Sequence, residues 1–400
     1  MRVACYVLYD IFMTYFFILG ANPALSLAEV FTVLGSLPSY ELVDKDCLLV
    51  EVTGSLDSQA LIKRLGGTIK IGQASPFVGR DLLMEIKNKC QAKPGKKFSF
   101  GFSTFGKVTM SIKSLAMNLK RALQEDGLGC RWVVSKEKNL SSVVVEQTGL
   151  LKDGAEIVLI KQGERLLVGR TEVVQLFKDW SHRDYGRPER DDFSGMLPPK
   201  LARIMINLAK VEEREILADP FCGSGTVLTE GAMLGVHELI GSDVSLEAID
   251  DTKKNLAWLR SQYDLADFHA QLFECDARNL SKILGSNSVD KVVTEPYLGP
   301  VVGTRATPAN IKNLTTLYSQ FLVELDKVVK PNGRVVMVWP VLVGRKVNTF
   351  LDINMGPWRM WRPLPASLVT PAINLSQRQT IVYGRAGQKV WREIVILVKK

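Results

Sequence analysis

Apolar and polar positions follow two regimes along the chain. In the N-terminal part, short apolar runs alternate with helix-period stretches. Tyr15–Leu19 reads as a buried strand, Asn22–Val30 as a turn leading into a helix that reaches Leu34, and Cys47–Val52 as a second strand. That mixture predicts a small α+β domain. Further on, FSFGF alternates with the period of a strand, Ile112–Gln124 has helical periodicity, and Ser142–Glu146, Ile157–Ile160 and Leu166–Gly169 read as short strands. Lys178–Lys200 is rich in charge, Pro and Gly and reads as a connecting segment. From Leu201 the pattern turns regular. Strand-like runs at Glu215–Ala218, Glu238–Gly241, Val289–Val293 and Arg334–Trp339 are separated by helical patterns at Thr226–Leu234, Leu246–Leu259 and Leu314–Val329. Such alternation predicts a parallel, doubly wound α/β sheet. The end differs: Thr380–Tyr383 and Glu393–Val398 have no helix between them and read as an antiparallel hairpin on one sheet edge.

Composition bounds this picture. Four hundred residues at about 150 per domain predict two or three domains. With 46% hydrophobic and 23% charged residues the chain can bury a sizeable core, which excludes wholesale disorder. The six cysteines are scattered without a CxxC pair and read as free thiols of a reducing compartment. Three histidines, His182, His237 and His269, are a poor basis for a metal site or a Ser-His-Asp triad, so no metal is expected. The apolar start, Met1–Leu19, is interrupted by Asp10 and falls short of the ~18–20 residues that a membrane span requires. A cytoplasmic protein without a membrane partner is expected.

The net charge of +9 is unevenly spread. Residues 1–59 carry −5, residues 60–190 carry +11 and residues 191–400 carry +3. Ile86–Gln124 holds nine bases and no acid, among them Lys93, Lys96, Lys97 and Lys107, interleaved with Phe98, Phe100, Phe102 and Phe105. The phenylalanines fit a strand facing a core. An acid-free basic stretch of this length self-repels unless a polyanion neutralises it, which points to nucleic acid.

Candidate chemistry sits at the ends of the predicted C-terminal strands. ADPFCGSGT, Ala218–Thr226, lies between a strand and a helix, where Gly223 and Gly225 allow a tight turn and close approach to a ligand. It is neither GxGxxG nor a Walker motif, so phosphate binding is disfavoured. The next strand ends in Asp243, placed to accept both hydroxyls of a ribose; the third ends near Asp276, able to hold an adenine amine; the fourth ends in Thr294-Glu295-Pro296-Tyr297. Each acid alone reads as a cap or a loop acid, but together they converge on one crevice at the carboxyl edge of the sheet.

These motifs resemble the S-adenosylmethionine-dependent RNA methyltransferases that carry an N-terminal THUMP module, nearest to those forming N2-methylguanosine at position ten of tRNA. DPFCGSGT is similar to that family's first cofactor motif, GMLPPKLARIMINLA (195–209) to the segment preceding it, YFFILGANPALSLAE (15–29) to its opening domain, and VYGRAGQKVWREI (382–394) to its closing hairpin. The resemblance implies a ferredoxin-like α+β domain over 1–75, a THUMP-like RNA-binding domain over 76–177, a linker over 178–195 and, over 196–400, a Rossmann-like class I methyltransferase sheet with a C-terminal hairpin. It implies S-adenosyl-L-methionine held by Asp219, Phe221, Gly223, Gly225, Thr226, Asp243 and Asp276, and tRNA as the partner of Lys93, Lys96, Lys97 and Lys107. Oligomeric state, from a monomer to a small oligomer, and an activating partner subunit are left open.

The catalytic motif departs from the family's Asp-Pro-Pro-Tyr. In one register of TEPYLG, Glu295 takes the acid position and Leu298 the tyrosine; in the other, Tyr297 keeps the stacking role and Thr294 takes the acid position. The first keeps a carboxylate at the strand end, so Glu295 is the expected polar group, with Thr294, Pro296 and Tyr297 around it. An exocyclic aromatic amine is a poor nucleophile, and a carboxylate accepting its N–H bonds favours the developing positive charge. Rival readings are methylation of another RNA, of DNA adenine or of protein glutamine, and an RNA-binding protein that keeps the cofactor but has lost activity.

Overall fold

The computed structural model describes residues 12–92, 97–190, 196–265, 267–299, 307–344, 347–371, 373, 375–385 and 387–399. The apolar start before residue 12, Lys93, Lys96, Gly195 and Pro300 therefore lie outside the described residues. The chain divides into two units. One takes residues up to Pro23, Leu34–Arg64 and Thr68–Phe177; the other takes Ala24–Val33, Leu65–Gly67 and the chain from Lys178 onward.

In chain order the first half runs β1 (Phe12–Leu19), α1 (Pro23–Leu34), β2 (Ser39–Asp44), β3 (Cys47–Thr53), α2 (Ser58–Arg64), β4 (Thr68–Pro76), α3 (Leu82–Cys90), β5 (Phe98–Gly106), α4 (Ile112–Glu125), β6 (Cys130–Trp132), α5 (Ser142–Gln147), β7 (Gly154–Gln162) and β8 (Arg165–Val174). Among the described residues its strands form one eight-stranded sheet in the order β2-β3-β1-β4-β8-β7-β5-β6. The antiparallel β4–β8 ladder, from Lys70 opposite Val174 to Pro76 opposite Leu167, carries this sheet without a break past residue 76. On β5, Phe98, Phe100, Phe102 and Phe105 are all buried. Helix α4, capped by the Ser111 side chain, buries Ala116, Leu119 and Leu123 in the same cluster as the first three of those rings. The i, i+3, i+7 spacing of that stripe is why the segment is a helix, and each leucine contributes about 1.5–3 kcal/mol by burial.

One expectation fails here. Ser142–Glu146, expected as a strand because of its Val run, is helix α5: the Ser141 hydroxyl accepts the Val144 N–H as an N-cap, and Val145 alone turns into a core. One capping bond and one buried face outweigh β-propensity over so short a run. The connector expected over 178–200 begins inside a helix, α6 (Phe177–Tyr185), which buries Trp180 and Arg183.

The second half continues with α7 (Pro199–Ala209), β9 (Ile216–Asp219), α8 (Thr226–Met233), β10 (Glu238–Asp243), α9 (Leu246–Tyr263), β11 (His269–Glu274), β12 (Val289–Thr294), α10 (Pro308–Val328), β13 (Val329–Leu342), β14 (Thr349–Phe350), β15 (Trp358–Met360), β16 (Ile381–Tyr383) and β17 (Val390–Lys399). The sheet order is β11-β10-β9-β12-β13-β17-β15, with β14 on β13 and β16 on β17. From β11 to β13 all neighbours are parallel, and β17 enters antiparallel to β13. Strand order reverses direction between β9 and β12, the place where a doubly wound sheet opens a crevice at its carboxyl edge. The hairpin expected on the sheet edge is more deeply set: β17 lies between β13 and the short strands β15 and β16. Strands such as VVMVWPVL are apolar on both faces because helices cover both. On one face Tyr318, Phe321, Leu322 and Leu325 of α10 pack with Met337, Trp339 and Val395.

Candidate active site

Asp219 closes β9 and Gly225 opens α8, so the intervening loop must turn within five residues. Gly223 and Gly225 make this turn with φ of +51° and +83°. The loop is pinned from three directions. The Cys222 N–H donates to the Ser242 carbonyl (2.9 Å), the Thr252 hydroxyl of α9 to the Gly223 carbonyl (2.7 Å), and the Asn255 amide to the Ser224 carbonyl (2.8 Å). A Cβ on Gly225 would come within 2.9 Å of Thr252 Cγ2, whereas a Cβ on Gly223 would point into open space. Burial pushes the Cys222 thiol well up, which removes it as a nucleophile.

The acids have distinct settings. Asp243 ends β10 and accepts the Gly223 N–H at Oδ2 and the Ser245 N–H at Oδ1, both at 3.0 Å. Asp276, two residues past β11, caps a 3₁₀ turn (Ala277–Lys282) and is gripped by the Arg278 guanidinium, which holds its carboxyl below the usual range. An adenine amine would have to share it with that arginine. Asp219 is buried; its Oδ1 accepts the Thr294 hydroxyl (2.6 Å) and the Phe221 N–H (3.2 Å), and burial pushes its carboxyl up to about 7 despite these bonds. Phe221 sets its ring edge-to-face against Phe321, and Thr226 accepts a hydrogen bond from Arg187 (2.7 Å).

At the end of β12 the four residues TEPY divide their work. Thr294 is fully buried and spends its hydroxyl on Asp219. Glu295 receives two bonds from Arg392: Nε donates to Oε2 at 2.5 Å and Nη2 to Oε1 at 2.9 Å. Burial pushes its carboxyl up, and Arg392 opposes that shift. Pro296 is buried, and Tyr297 is 59% exposed, with its carbonyl accepting the Tyr318 hydroxyl at 3.2 Å. The fold thus brings Asp219, the glycine loop, Asp243 and Thr294 into one hydrogen-bonded group, with Glu295 and Tyr297 leading out of it. Lys97 and Lys107 are exposed at opposite ends of β5 in the other unit. Sequence reasoning missed Arg187, Thr252, Tyr318 and Arg392. Only Arg392 carried a signal, its place in the quoted hairpin motif.

A glycine loop at the switch point of such a sheet defines a Rossmann-like fold, and the comparisons narrow it to the methyltransferase type. Residues 187–342 match the family model described as RMKL-like, methyltransferase domain. TrmN from Thermus thermophilus shares the fold, with a TM-score of 0.54 at 16% identity over 97% of this chain and 100% of that one. The chain is similar to the tRNA (guanine(10)-N2)-dimethyltransferase of Methanothermobacter thermautotrophicus, 29% identical over 210 residues, 51% of this chain and 57% of that protein. It is similar also to the protein of that name from Methanocaldococcus jannaschii, 35% identical over 149 residues, 36% of this chain and 38% of that protein. The matches thus cover well under two thirds of these relatives' lengths.

Proposed function

We propose that the chain is an S-adenosylmethionine-dependent tRNA methyltransferase acting on the exocyclic N2 amine of a guanosine. The observation that carries this reading is the 2.6 Å bond between Asp219 and Thr294, which ties the glycine loop and the TEPY segment into one site. Two relatives named for N2 methylation of tRNA guanine support the target. The open space at Gly223 and the carboxylate at the end of β10 fit the cofactor. Asp243 would receive its ribose hydroxyls, and the glycine loop would lie along its methionine end. When bound, the sulfonium supplies an activated methyl group and a good leaving group.

The chain's own residues do the rest. Tyr297, exposed on a short loop, stacks on the flipped base. Glu295 accepts an N–H of the amine, drawing its lone pair out of conjugation as positive charge develops on nitrogen. The fixed loops hold the amine in line, which contributes through orientation. Residues 1–75 and 76–177 serve as ferredoxin-like and THUMP-like modules that recognise tRNA, and 178–195 joins them to the catalytic domain at 196–400. Incubation with labelled S-adenosylmethionine and unmodified tRNA, followed by digestion to nucleosides, should yield labelled N2-methylguanosine. Label in another base, or cofactor binding with no label in RNA, would overturn the reading.

A further inference from the structure

We propose that Arg392 is a positioning residue of this reaction: it holds the Glu295 carboxylate ionised and in a fixed plane at the mouth of β12. The proposal rests on the role given to Glu295 above. Its basis is the two-pronged contact, Nε on one carboxylate oxygen and Nη2 on the other. A fork of this kind fixes the plane of the carboxylate as well as its place, which a point charge does not. Each carboxylate oxygen has two acceptor positions, so one on each oxygen stays open to an incoming amine.

The sheet sets the geometry. Arg392 stands on β17 opposite Pro340 of β13 and Tyr383 of β16, and β13 lies parallel to β12, with Met337 opposite Thr294. The guanidinium therefore projects from a rigid ladder next to the strand that carries Glu295, although 97 residues separate the two in sequence. Both side chains are largely buried. A buried ion pair is a weak source of stability, because desolvation cancels much of its attraction, but it does hold a charge in one place. Among the described residues, Asp219 from β9, Tyr318 from α10 and Tyr383 from β16 also interact electrostatically with this pair. Arg392 is the cation in direct contact with Glu295, and burial alone would drive that carboxyl towards its protonated form.

The test compares the parent protein with Arg392→Gln, Arg392→Lys and Glu295→Gln in single-turnover methylation of unmodified tRNA across pH. Cofactor affinity by calorimetry serves as the check on folding. Glu295 must be ionised to accept the amine, so the rate rises with pH through its titration. Removing the Arg392 charge moves this limb to higher pH, by about one unit or more, and lowers the plateau on the order of tenfold. Arg392→Lys keeps the charge and loses the fork, so its limb stays near the parent's while its plateau falls. A carbon-13 titration of the Glu295 carboxyl, assigned by its loss in Glu295→Gln, should move in the same direction without any turnover. A salt bridge that merely stabilises the fold would alter melting and leave the limb in place. If both Arg392 variants bind cofactor and keep the parental profile while Glu295→Gln is slow, the proposal falls. If Glu295→Gln is as fast as the parent, the role of Glu295 falls first. Should Arg392→Gln fail to fold, a parental plateau in Arg392→Lys suffices to reject the proposal.

Discussion

Among the described residues, Asp219 and Glu29 are buried carboxyls of the second unit that accept hydrogen bonds from backbone N–H groups, a hydroxyl and an amide. Glu29 on α1 accepts the Gly66 and Gly67 N–H groups (2.8 Å each) and the Asn207 amide (2.7 Å); burial pushes its carboxyl up to about 7, as it does for Asp219. Both pKa values are raised on folding, so the folded protein holds these protons after the unfolded chain has released them. Their contribution to stability is complete below about pH 4 and is lost as pH rises towards 7, at about 1.4 kcal/mol per pH unit for each group. Asp219→Asn keeps the acceptor for Thr294 and removes one titration. In urea melts between pH 5 and pH 7, the loss of stability with rising pH should be smaller in the variant by roughly that amount per unit. Equal slopes in variant and parent would mean that Asp219 is ionised in the fold.

At the scale of elements, the loop between β9 and α8 separates two uses of glycine. Gly225 is at +83° with Thr252 against it, so Gly225→Ala should destabilise the fold by about 1–3 kcal/mol. Gly223, at +51°, lies near the left-handed region that other residues can enter, and its Cβ would meet only open space. Gly223→Ala should therefore cost only the strain of its positive φ, about 1–2 kcal/mol, but weaken cofactor binding by about tenfold or more, read by calorimetry beside a melt. Unchanged affinity in Gly223→Ala would take the cofactor away from this turn. The loop was legible in sequence because its glycines, its acid and its flanking strand and helix are contiguous. So were β9, β10, β12 and the core of β13, whose apolar runs and intervening helical periods leave little choice. Arg392 was not legible as a partner of Glu295: that contact exists only because β17 inserts beside β13, which no local pattern states. Thr294 offered two registers in sequence; in the fold it is buried with its hydroxyl on Asp219, while Glu295 is held by Arg392. Helix α5 was lost to a run of valines whose single buried member decides the local structure.

At the scale of the whole molecule, the two described lysines of the predicted RNA-binding set lie far apart. Lys97 and Lys107 bracket β5, on the order of 30 Å apart for an extended strand, and Lys87 is already paired with Asp126 at 2.6 Å. Lys97→Glu and Lys107→Glu, made separately, should each weaken tRNA binding and lower the dependence of log Kd on log salt by about one or more, with cofactor affinity unchanged. A lysine whose replacement leaves the salt titration unaltered lies off the RNA path. The two results together show whether the RNA reaches both ends of the strand.

The assignment of α1 to the second unit has a consequence in time. Its Leu25, Leu27, Ala28 and Val30 are buried, and Glu29 is bound to Asn207, 178 residues further along. At a synthesis rate of 5–20 residues per second, the ribosome needs roughly 10–35 s to make that stretch. For that interval α1 has emerged and the helix carrying Asn207 does not yet exist. An apolar helix with a carboxyl at its centre must stay uncommitted while the whole first sheet is made. Its docking therefore waits until about half of the 400-residue chain has been made, with most of the second sheet still to come.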